Sequence, residues 1–381
     1  MKKRILIDAS TVISKIDGLS QYIINLIKHL PEESFDIFDY SVLVNKDLNR
    51  NALTDILKDQ RFTIIEARIA PIGPKREWDM FWFLRKYKTK FDLFHSTSNQ
   101  YPLYLKKGIA TIHDITFRKY LNAPWYTFKT ASFFLNLVIK NSLYRSVAVI
   151  AVSEFTKNDL VNKYQLNEKI QKKISVIYEG WEHLINSDDN EVVNTELFEF
   201  ENYLFYVGTT RVHKNMKNLL KAFIIAANEI NENISLVIVG NESYLDAEDK
   251  KSINAINEKY KRVFFTGFVS KKELDYLFTN CCAFIFPSLS EGFGIPVLEA
   301  FYFKKPLLCS NSTSLPEIAG NAALYFDPSS PEDIARSVIT LYKDPAIGPG
   351  LVKKGEERLQ LFSWKKTASQ TVQLYMDELS K

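Results

Sequence analysis

The sequence predicts an α/β protein built from two doubly wound parallel sheets. Three observations predict it. The chain has 381 residues, more than one ordinary core takes, so two domains are expected. Its strand-like stretches are continuous runs of Val, Ile, Leu and Phe, the mark of strands buried on both faces. Those runs alternate with helical patterns, break at an acidic and polar stretch over 185–200, and then start again.

The elements read as follows. RILIDA (4–9) is a strand run. LSQYIINLIKHL (19–30) follows, with Leu19, Tyr22, Ile23, Leu26, Ile27 and Leu30 at helical spacing. Further strand runs are FDLFHS (91–96), GIATIH (108–113), VAVIAVS (147–153) and ISVIYEG (174–180). INSDDNEVVNTELFEF (185–200) is the expected linker. Beyond it, YLFYVG (203–208), ISLVIVG (234–240), RVFFTGF (262–268), CAFIFPS (282–288) and PLLCS (306–310) are strand runs, and NLLKAFIIAANEI (218–230) is a helix. Ligands of such sheets sit at the C-terminal strand ends. That places Asp8, His95, His113 and Ser153 on one rim, and Gly208, Gly240, Gly267 and Ser288 on another. Two such rims facing each other would form a cleft. The expected division is 1–183, 184–361 and a terminal segment 362–381.

Composition narrows the class. Apolar content is 46% and charged content 25%, normal for a globular protein and against disorder or a fibre. The apolar run of MKKRILIDAS stops at Asp8, too short for a secretory signal. No run of 18 apolar residues offers a spanning helix. A cytoplasmic location is expected. Cys281, Cys282 and Cys309 lack a C-x-x-C pair and read as buried free thiols in a reducing compartment. Residues 1–180 hold 28 basic and 18 acidic residues, and 181–381 hold 21 and 27. The basic half suggests a polyanionic or surface partner. A chance distribution over a solvated face is the plain alternative.

The most informative stretch is PSLSEGFGIPVLEA (287–300). Glu291 and Glu299 bracket a Gly-x-Gly turn and a helix start. Pro296 suits the first helical position, which puts Glu299 on the first turn. A helix N-terminus reached through glycines accepts an anion, because backbone N–H groups point outward. Carboxylates there repel phosphate but accept hydrogen bonds from sugar hydroxyls. A nucleotide sugar, with a diphosphate between two hydroxylated rings, satisfies both demands. Its charge requires cations, and GTTRVHKN (208–215) offers Arg211, His213 and Lys214. The plain alternative is two acids complementing a helix dipole, worth under about 1 kcal/mol each.

The stretch EGFGIPVLEA resembles the E-x7-E signature of glycosyltransferase family 4, retaining enzymes of the GT-B fold. YVGTTRVHKNMKNLLKAF (206–223), FTGFVSKKELDYLF (265–278), SNSTSLPEIAGNAALYFDPSSPEDIA (310–335) and FSWKKTASQTVQLY (362–375) are similar to further stretches of that family. So are DGLSQYIINL (17–26), FHS (94–96), TIHD (111–114) and VSEFTKNDL (152–160). The likeness runs along nearly the whole chain. It implies two Rossmann-like domains facing across a cleft, with a terminal helix crossing back to the first.

The resemblance also implies roles. Glu291 would bind the donor hexose and Glu299 the ribose. Backbone at Gly292, Phe293 and Gly294 would approach the sugar, and N–H groups at Val297 and Leu298 the phosphate. Arg211 and Lys214, beside the strand end at Gly208, would neutralise the leaving diphosphate. Gly18 would pack on that diphosphate, His113 would lie near the anomeric carbon, and backbone around Phe268 would meet the base. Two departures stand out. The first loop has one glycine where two are usual, and KK at 304–305 replaces a small-residue turn.

The implied reaction is hexosyl transfer to an acceptor hydroxyl with retention. No D-x-D and no zinc-spaced cluster occurs, so no metal and no cofactor are expected. His113 and His95 have a structural alternative as satisfied strand-end residues, and Asp114 reads as a cap rather than a base. FRKYLNAPWYTFKTASFFLNLVIKNSLYRS (117–146) mixes cations with aromatics. That suggests contact with an anionic membrane surface, against the alternative of a core helix with snorkelling lysines. No nucleic-acid motif accompanies it. A lipid-linked or glycan acceptor in bacterial surface polysaccharide assembly, such as O-antigen, fits, with peripheral attachment to the inner membrane face. GDP-mannose is the leading donor, with UDP- and dTDP-sugars as alternatives. An inactive nucleotide-sugar-binding scaffold and a hexosyl phosphorylase or synthase are the competing functions.

Overall fold

In the computed structural model of the chain, residues 1–12, 17–47, 53–115, 125–185, 200–208, 211–230, 234–240, 245, 247–260 and 262–381 are described. Residues 186–199 of the expected linker and 117–124 of the basic-aromatic segment lie outside them. The chain divides into two compact units. Of the described residues, those within 1–115, 125–183 and 363–381 form one, and those within 184–362 the other.

The first unit runs β1 (Lys3–Asp8), α1 (Gly18–Lys28), α2 (Ser34–Ile37), β2 (Phe38–Asn45), α3 (Thr54–Lys58), β3 (Phe62–Ala67), α4 (Pro74–Tyr87), β4 (Leu93–Ser96), β5 (Gly108–Ile112), α5 (Trp125–Arg145), β6 (Ala148–Ala151), α6 (Glu154–Tyr164), α7 (Glu168–Gln171) and β7 (Ile174–Val176). Among the described residues its sheet has seven parallel strands in the order β3-β2-β1-β4-β5-β6-β7. The order reverses between β1 and β4, the switch point of a doubly wound sheet. β1, β4, β5 and β6 are buried almost throughout, as continuous apolar runs require. Asp17 starts α1 by accepting from the Ser20 amide, and Ser153 starts α6 by accepting from that of Thr156.

The second unit runs β8 (Tyr203–Val207), α8 (Met216–Ile230), β9 (Ser235–Val239), α9 (Ala247–Tyr260), β10 (Val263–Gly267), α10 (Lys271–Asn280), β11 (Ala283–Phe286), α11 (Ile295–Tyr302), β12 (Leu307–Ser310), α12 (Leu315–Ala319), β13 (Ala323–Phe326), α13 (Pro331–Lys343) and α14 (Ile347–Leu359). Among the described residues its sheet has six parallel strands, β10-β9-β8-β11-β12-β13, with the switch between β8 and β11. Leu219, Phe223 and Ala226 of α8 pack with Ile334, Ala335 and Val338 of α13 over Ile238, Ile285 and Leu308. A Ser270–Glu273 capping box opens α10.

The last helix, α15 (Trp364–Ser380), belongs to the first unit. Glu182 holds its start, accepting from the Ser363 hydroxyl and, at 2.7 Å, from the Trp364 amide. A Cβ at Gly180 would lie 2.0 Å from the Trp364 nitrogen, so only glycine fits that crossing. Further along, the Tyr375 hydroxyl lies 2.6 Å from His95 Nδ1. The two sheets and this return are the GT-B architecture.

β2, β3 and β13 are strands that the reading of continuous apolar runs left out. β3 is half-exposed and β13 mostly half-buried, so neither is a continuous core run. Cys281 and Cys309 are buried, but Cys282 is exposed, contrary to the expectation of three buried thiols. It precedes β11 and contributes nothing to the core. No helix of the described residues is long and apolar enough to cross a membrane.

Candidate functional site

Strand ends build the site of the second unit. After β8 the backbone turns at Gly208, where φ is +154°, and a Cβ would lie 2.8 Å from the Tyr206 hydroxyl. A 3-10 turn, Val212–Lys214, follows, with Arg211 exposed before it. Asn215 closes that turn in the left-handed region, φ 63°. Its side-chain amide donates to the carbonyls of Pro287 (3.0 Å) and Pro328 (2.7 Å). The Leu289 amide donates to the His213 carbonyl at 2.8 Å. These bonds clamp the loop after β8 to the loop after β11, across the switch point.

The clamp brings two expected residues together. Lys214 Nζ lies 2.7 Å from Glu291 Oε1, with side chains 18% and 15% exposed. The ammonium also lies 5.5 Å from the centre of the Phe286 ring. His213 sits beside them. Burial and the positive charge of Lys214, with a smaller contribution from Arg211, push its pKa down to about 4, against the pull of Glu291. The His213 imidazole beside Lys214 is therefore neutral at neutral pH. Burial, reinforced by the Glu291 charge, raises the Tyr206 hydroxyl and the Cys309 thiol well above their ordinary values.

The Glu291 loop is fixed from the far side by residues that the sequence reading did not single out. The Glu291 amide donates to Thr313 Oγ1 at 3.0 Å. The buried Ser314 hydroxyl reaches the carbonyls of Glu291 (3.1 Å) and Phe293 (2.8 Å). In the sequence, Thr313 and Ser314 lie within the family-like stretch 310–335, without a role of their own. Gly292 and Phe293 are buried, and the Phe293 ring packs edge-on against Phe362. Gly294 precedes α11 with φ 112°, and a Cβ there would lie 2.7 Å from Leu315 Cδ2.

The helix start differs from expectation. α11 begins at Ile295, so Pro296 is its second residue and Glu299 its fifth, on the second turn and half-buried. One of the two N–H groups expected to face phosphate has a partner within the chain. Val297 donates to the Gly294 carbonyl at 2.9 Å. Gly240 and Gly267 form a bridge at the ends of β9 and β10. Phe268, next in line, is 71% exposed. Thr209 and Thr210 lie outside the described residues.

The remaining expected residues are in the first unit. Gly18 is the first residue of α1, and a Cβ there would meet nothing within 4 Å. His113 follows β5. Its Nε2 lies 3.0 Å from the Thr97 carbonyl, its Nδ1 lies 3.4 Å from Glu179, and its ring packs 4.7 Å from Tyr22 of α1. Burial opposes its protonation, but the hydrogen bond and charge of Glu179 outweigh that and raise its pKa above 6.5. Glu179 is a buried partner that spacing could not reveal. His95 is not on the rim. It lies within β4, fully buried between Tyr375 and Thr111, and burial pushes its pKa down to about 3. Asp8 ends β1 but is locked in a buried pair with Arg76 at 2.5 Å. The Asp114 carbonyl accepts from Asn99.

Residues 16–182 match the family described as Glycosyltransferase Family 4, and residues 187–358 the family described as Glycosyl transferases group 1. The chain is 25% identical over 381 residues to the O-antigen chain mannosyltransferase B of Escherichia coli, covering 94% of this chain and 96% of that one. It is 28% identical over 254 residues to the O-antigen chain mannosyltransferase RfbU of Salmonella typhimurium, 65% of each. Among solved structures, Anabaena HepE in complex with UDP and glucose superposes with a TM-score of 0.73 at 15% identity, over 98% of this chain and 100% of that one. Sucrose-phosphate synthase from Thermosynechococcus elongatus superposes with a TM-score of 0.70 at 18% identity, over the whole of both chains.

Proposed function

The chain belongs to the glycosyltransferases of the family 4 type, and on that premise we propose that it is a retaining, metal-independent mannosyltransferase. Its donor is a nucleotide-diphosphate sugar, GDP-mannose first. Its acceptor is a hydroxyl of a glycan or lipid-linked glycan in surface polysaccharide assembly. Mannose is favoured by the names of the O-antigen relatives. UDP-sugars are the alternative, because HepE was solved with UDP and glucose.

The observation that carries the reading is the Lys214–Glu291 pair beside the Gly294-opened start of α11, at the switch point of the sheet. A lone cation would serve any anion. A cation held by a carboxylate at a helix start suits a ligand that joins phosphate to hydroxyls. Glu291 takes the hexose hydroxyls, and Glu299 takes those of the ribose. Lys214, Arg211 and the amides at the start of α11 take the diphosphate. The exposed ring of Phe268 offers a face to the base. The resemblance assigns Gly18 to the diphosphate and His113 to the reacting carbon.

In the reaction, the acceptor oxygen bonds to the anomeric carbon as the bond from that carbon to the diphosphate oxygen breaks. The acceptor proton leaves with the nucleoside diphosphate or to solvent. Negative charge grows on the leaving diphosphate, where Lys214 and Arg211 stabilise it. Preorganised charge of this kind is usually the largest catalytic contribution. The test is transfer from GDP-mannose to a lipid-linked glycan, with EDTA, in wild type and Lys214→Ala. A loss of about a hundredfold or more in the variant is expected. Donor binding with no turnover for any acceptor would sink the transferase reading in favour of a binding protein.

A further inference from the structure

The loop after β7 carries a buried carboxylate that has no part in the donor site of the second unit. Glu179 is buried, and its Oε1 lies 3.4 Å from Nδ1 of His113. The Glu179 side chain is 5% exposed and that of His113 18%. The backbone beside the carboxylate is fixed. Gly180 has no room for a Cβ against the Trp364 nitrogen, and Glu182 accepts from the Trp364 amide at 2.7 Å. Burying a carboxylate is costly, and an apolar pair of the same shape often serves stability as well or better. Stability is therefore a poor account of Glu179.

The geometry around His113 defines its protonation. Nε2 lies 3.0 Å from the Thr97 carbonyl, which can only accept, so Nε2 carries a hydrogen. Nδ1 faces the Glu179 carboxylate, which when ionised also only accepts. A neutral imidazole has one hydrogen for these two oxygens, and an imidazolium has one for each. The rest of the residue is held too. Its amide donates to Asn99 Oδ1 at 2.8 Å, and the Tyr22 ring stands edge-on to it at 4.7 Å. Tyr22 is anchored in turn through Thr111 (3.0 Å), then His95 (2.8 Å), then Tyr375 of α15 (2.6 Å). Charge agrees with geometry. Burial opposes protonation of His113, but Glu179 prevails, with smaller contributions from the Thr97 carbonyl and Asp114. His95 of β4 is neutral and the Tyr22 hydroxyl un-ionised, because burial disfavours the charged form of each.

We propose that Glu179 is a positioning residue for hexosyl transfer: it holds His113 as an imidazolium with both N–H groups committed to the protein, a fixed cation rather than an acid or a base. This rests on the transferase reading and on the place that the resemblance gives His113, near the reacting carbon. A ligand can reach the His113 ring but not the Glu179 carboxylate, so Glu179 acts only through the ring. The buried carboxylate of a hydrolytic triad orients and stabilises an imidazolium in the same manner. Preorganised positive charge favours the negative charge that grows on the leaving diphosphate. With both nitrogens engaged, the ring passes no proton to the acceptor or from it.

The test compares the full chain with Glu179→Gln, which keeps the shape and removes the charge, and with Glu179→Asp, which keeps the charge. GDP release from GDP-mannose, with a lipid-linked glycan as acceptor, is followed from about pH 5 to 8, the span over which an imidazole titrates. Calorimetry gives the donor affinity. Glu179→Gln is expected to lose about a hundredfold in kcat at the alkaline end, with donor affinity changed by less than about twofold. The deficit should shrink towards the acid end, where His113 takes up its proton without help, and Glu179→Asp should recover most of kcat. The ring nitrogen resonances of His113, identified by their loss in His113→Asn, should be those of an imidazolium at neutral pH in wild type and of a neutral ring in Glu179→Gln. If Glu179→Gln does not fold, Glu179→Asp and the wild-type resonances carry the test. A deficit equal at every pH, or a fall in donor affinity as large as that in kcat, would show a structural role only and overturn the proposal. So would a neutral His113 ring in wild type. Wild-type turnover with an unimpaired Glu179→Gln ends this proposal alone, whereas no turnover of any nucleotide sugar by wild type ends the transferase reading and this proposal with it.

Discussion

The Lys214–Glu291 pair can be weighed by a double-mutant cycle of Lys214→Met, Glu291→Gln and the combination. At 2.7 Å the gross attraction is about 6 kcal/mol for an effective dielectric near 20. Desolvation of two mostly buried charges removes several kcal/mol of it. A net coupling of about 2 kcal/mol remains, in the range of hydrogen bonds between charged groups. Each single variant should cost more than its share of the double, because it strands one charge. Amide exchange of β8 and β11 reads the opening of the second unit alone. The coupling should also persist in high salt, because both side chains are largely shielded from solvent. A coupling below about 0.5 kcal/mol would show an ordinary surface pair and would refute the argument that this pair organises the site.

Other predictions follow from the same geometry. Gly294→Ala meets both a left-handed φ of 112° and Leu315 at 2.7 Å. It should destabilise the second unit by about 1–3 kcal/mol and weaken donor binding, measured by urea unfolding and calorimetry. His213 has a pKa near 4, below its ordinary 6.5. Its neutral form is the folded one, so its contribution is complete above pH 6.5 and is lost as pH falls towards 4. The loss is about 2 kcal/mol after discounting for a half-exposed ring, and His213→Asn should flatten that part of the pH–stability curve. His113 has the opposite sign. Its pKa is raised by Glu179, so its stabilisation is full below 6.5 and fades as pH rises through the raised value. His113→Asn should remove that alkaline slope. Gly180→Ala, with its Cβ 2.0 Å from the Trp364 nitrogen, should release α15 and appear as raised exchange of the α15 amides.

How legible this was varied with the physics involved. Strands such as Tyr203–Val207 and Ala283–Phe286 announced themselves because strands covered on both faces have no polar alternation. Phe62–Ala67 did not, because half its side chains meet solvent. Glu291, Lys214 and Gly294 were found by type and spacing. Their joining was not, since it depends on β8 and β11 lying side by side though separated by two other strands in the chain. Ser314 and Glu179 act through hydrogen bonds made by distant backbone and ring atoms, which leave no spacing signal. The first residue of α11 was missed by one, which makes Glu299 its fifth residue and not its fourth. The expected membrane segment, 117–146, was chosen for its mixed composition. Trp78 and Trp82 of α4, exposed and edge-on to each other at 5.9 Å, were passed over, because that stretch was not read as an element at all.

The central claim is that the second unit binds a nucleotide-diphosphate sugar through Lys214 and Glu291. Calorimetric titration with GDP-mannose, in the presence of EDTA, tests it most directly when wild type, Lys214→Ala and Glu291→Ala are compared. The account predicts saturable binding to wild type that EDTA leaves unchanged, and a loss of about tenfold or more in each variant. Equal affinity in all three proteins, or no binding of GDP-, UDP- or dTDP-sugars by the wild type, would contradict it.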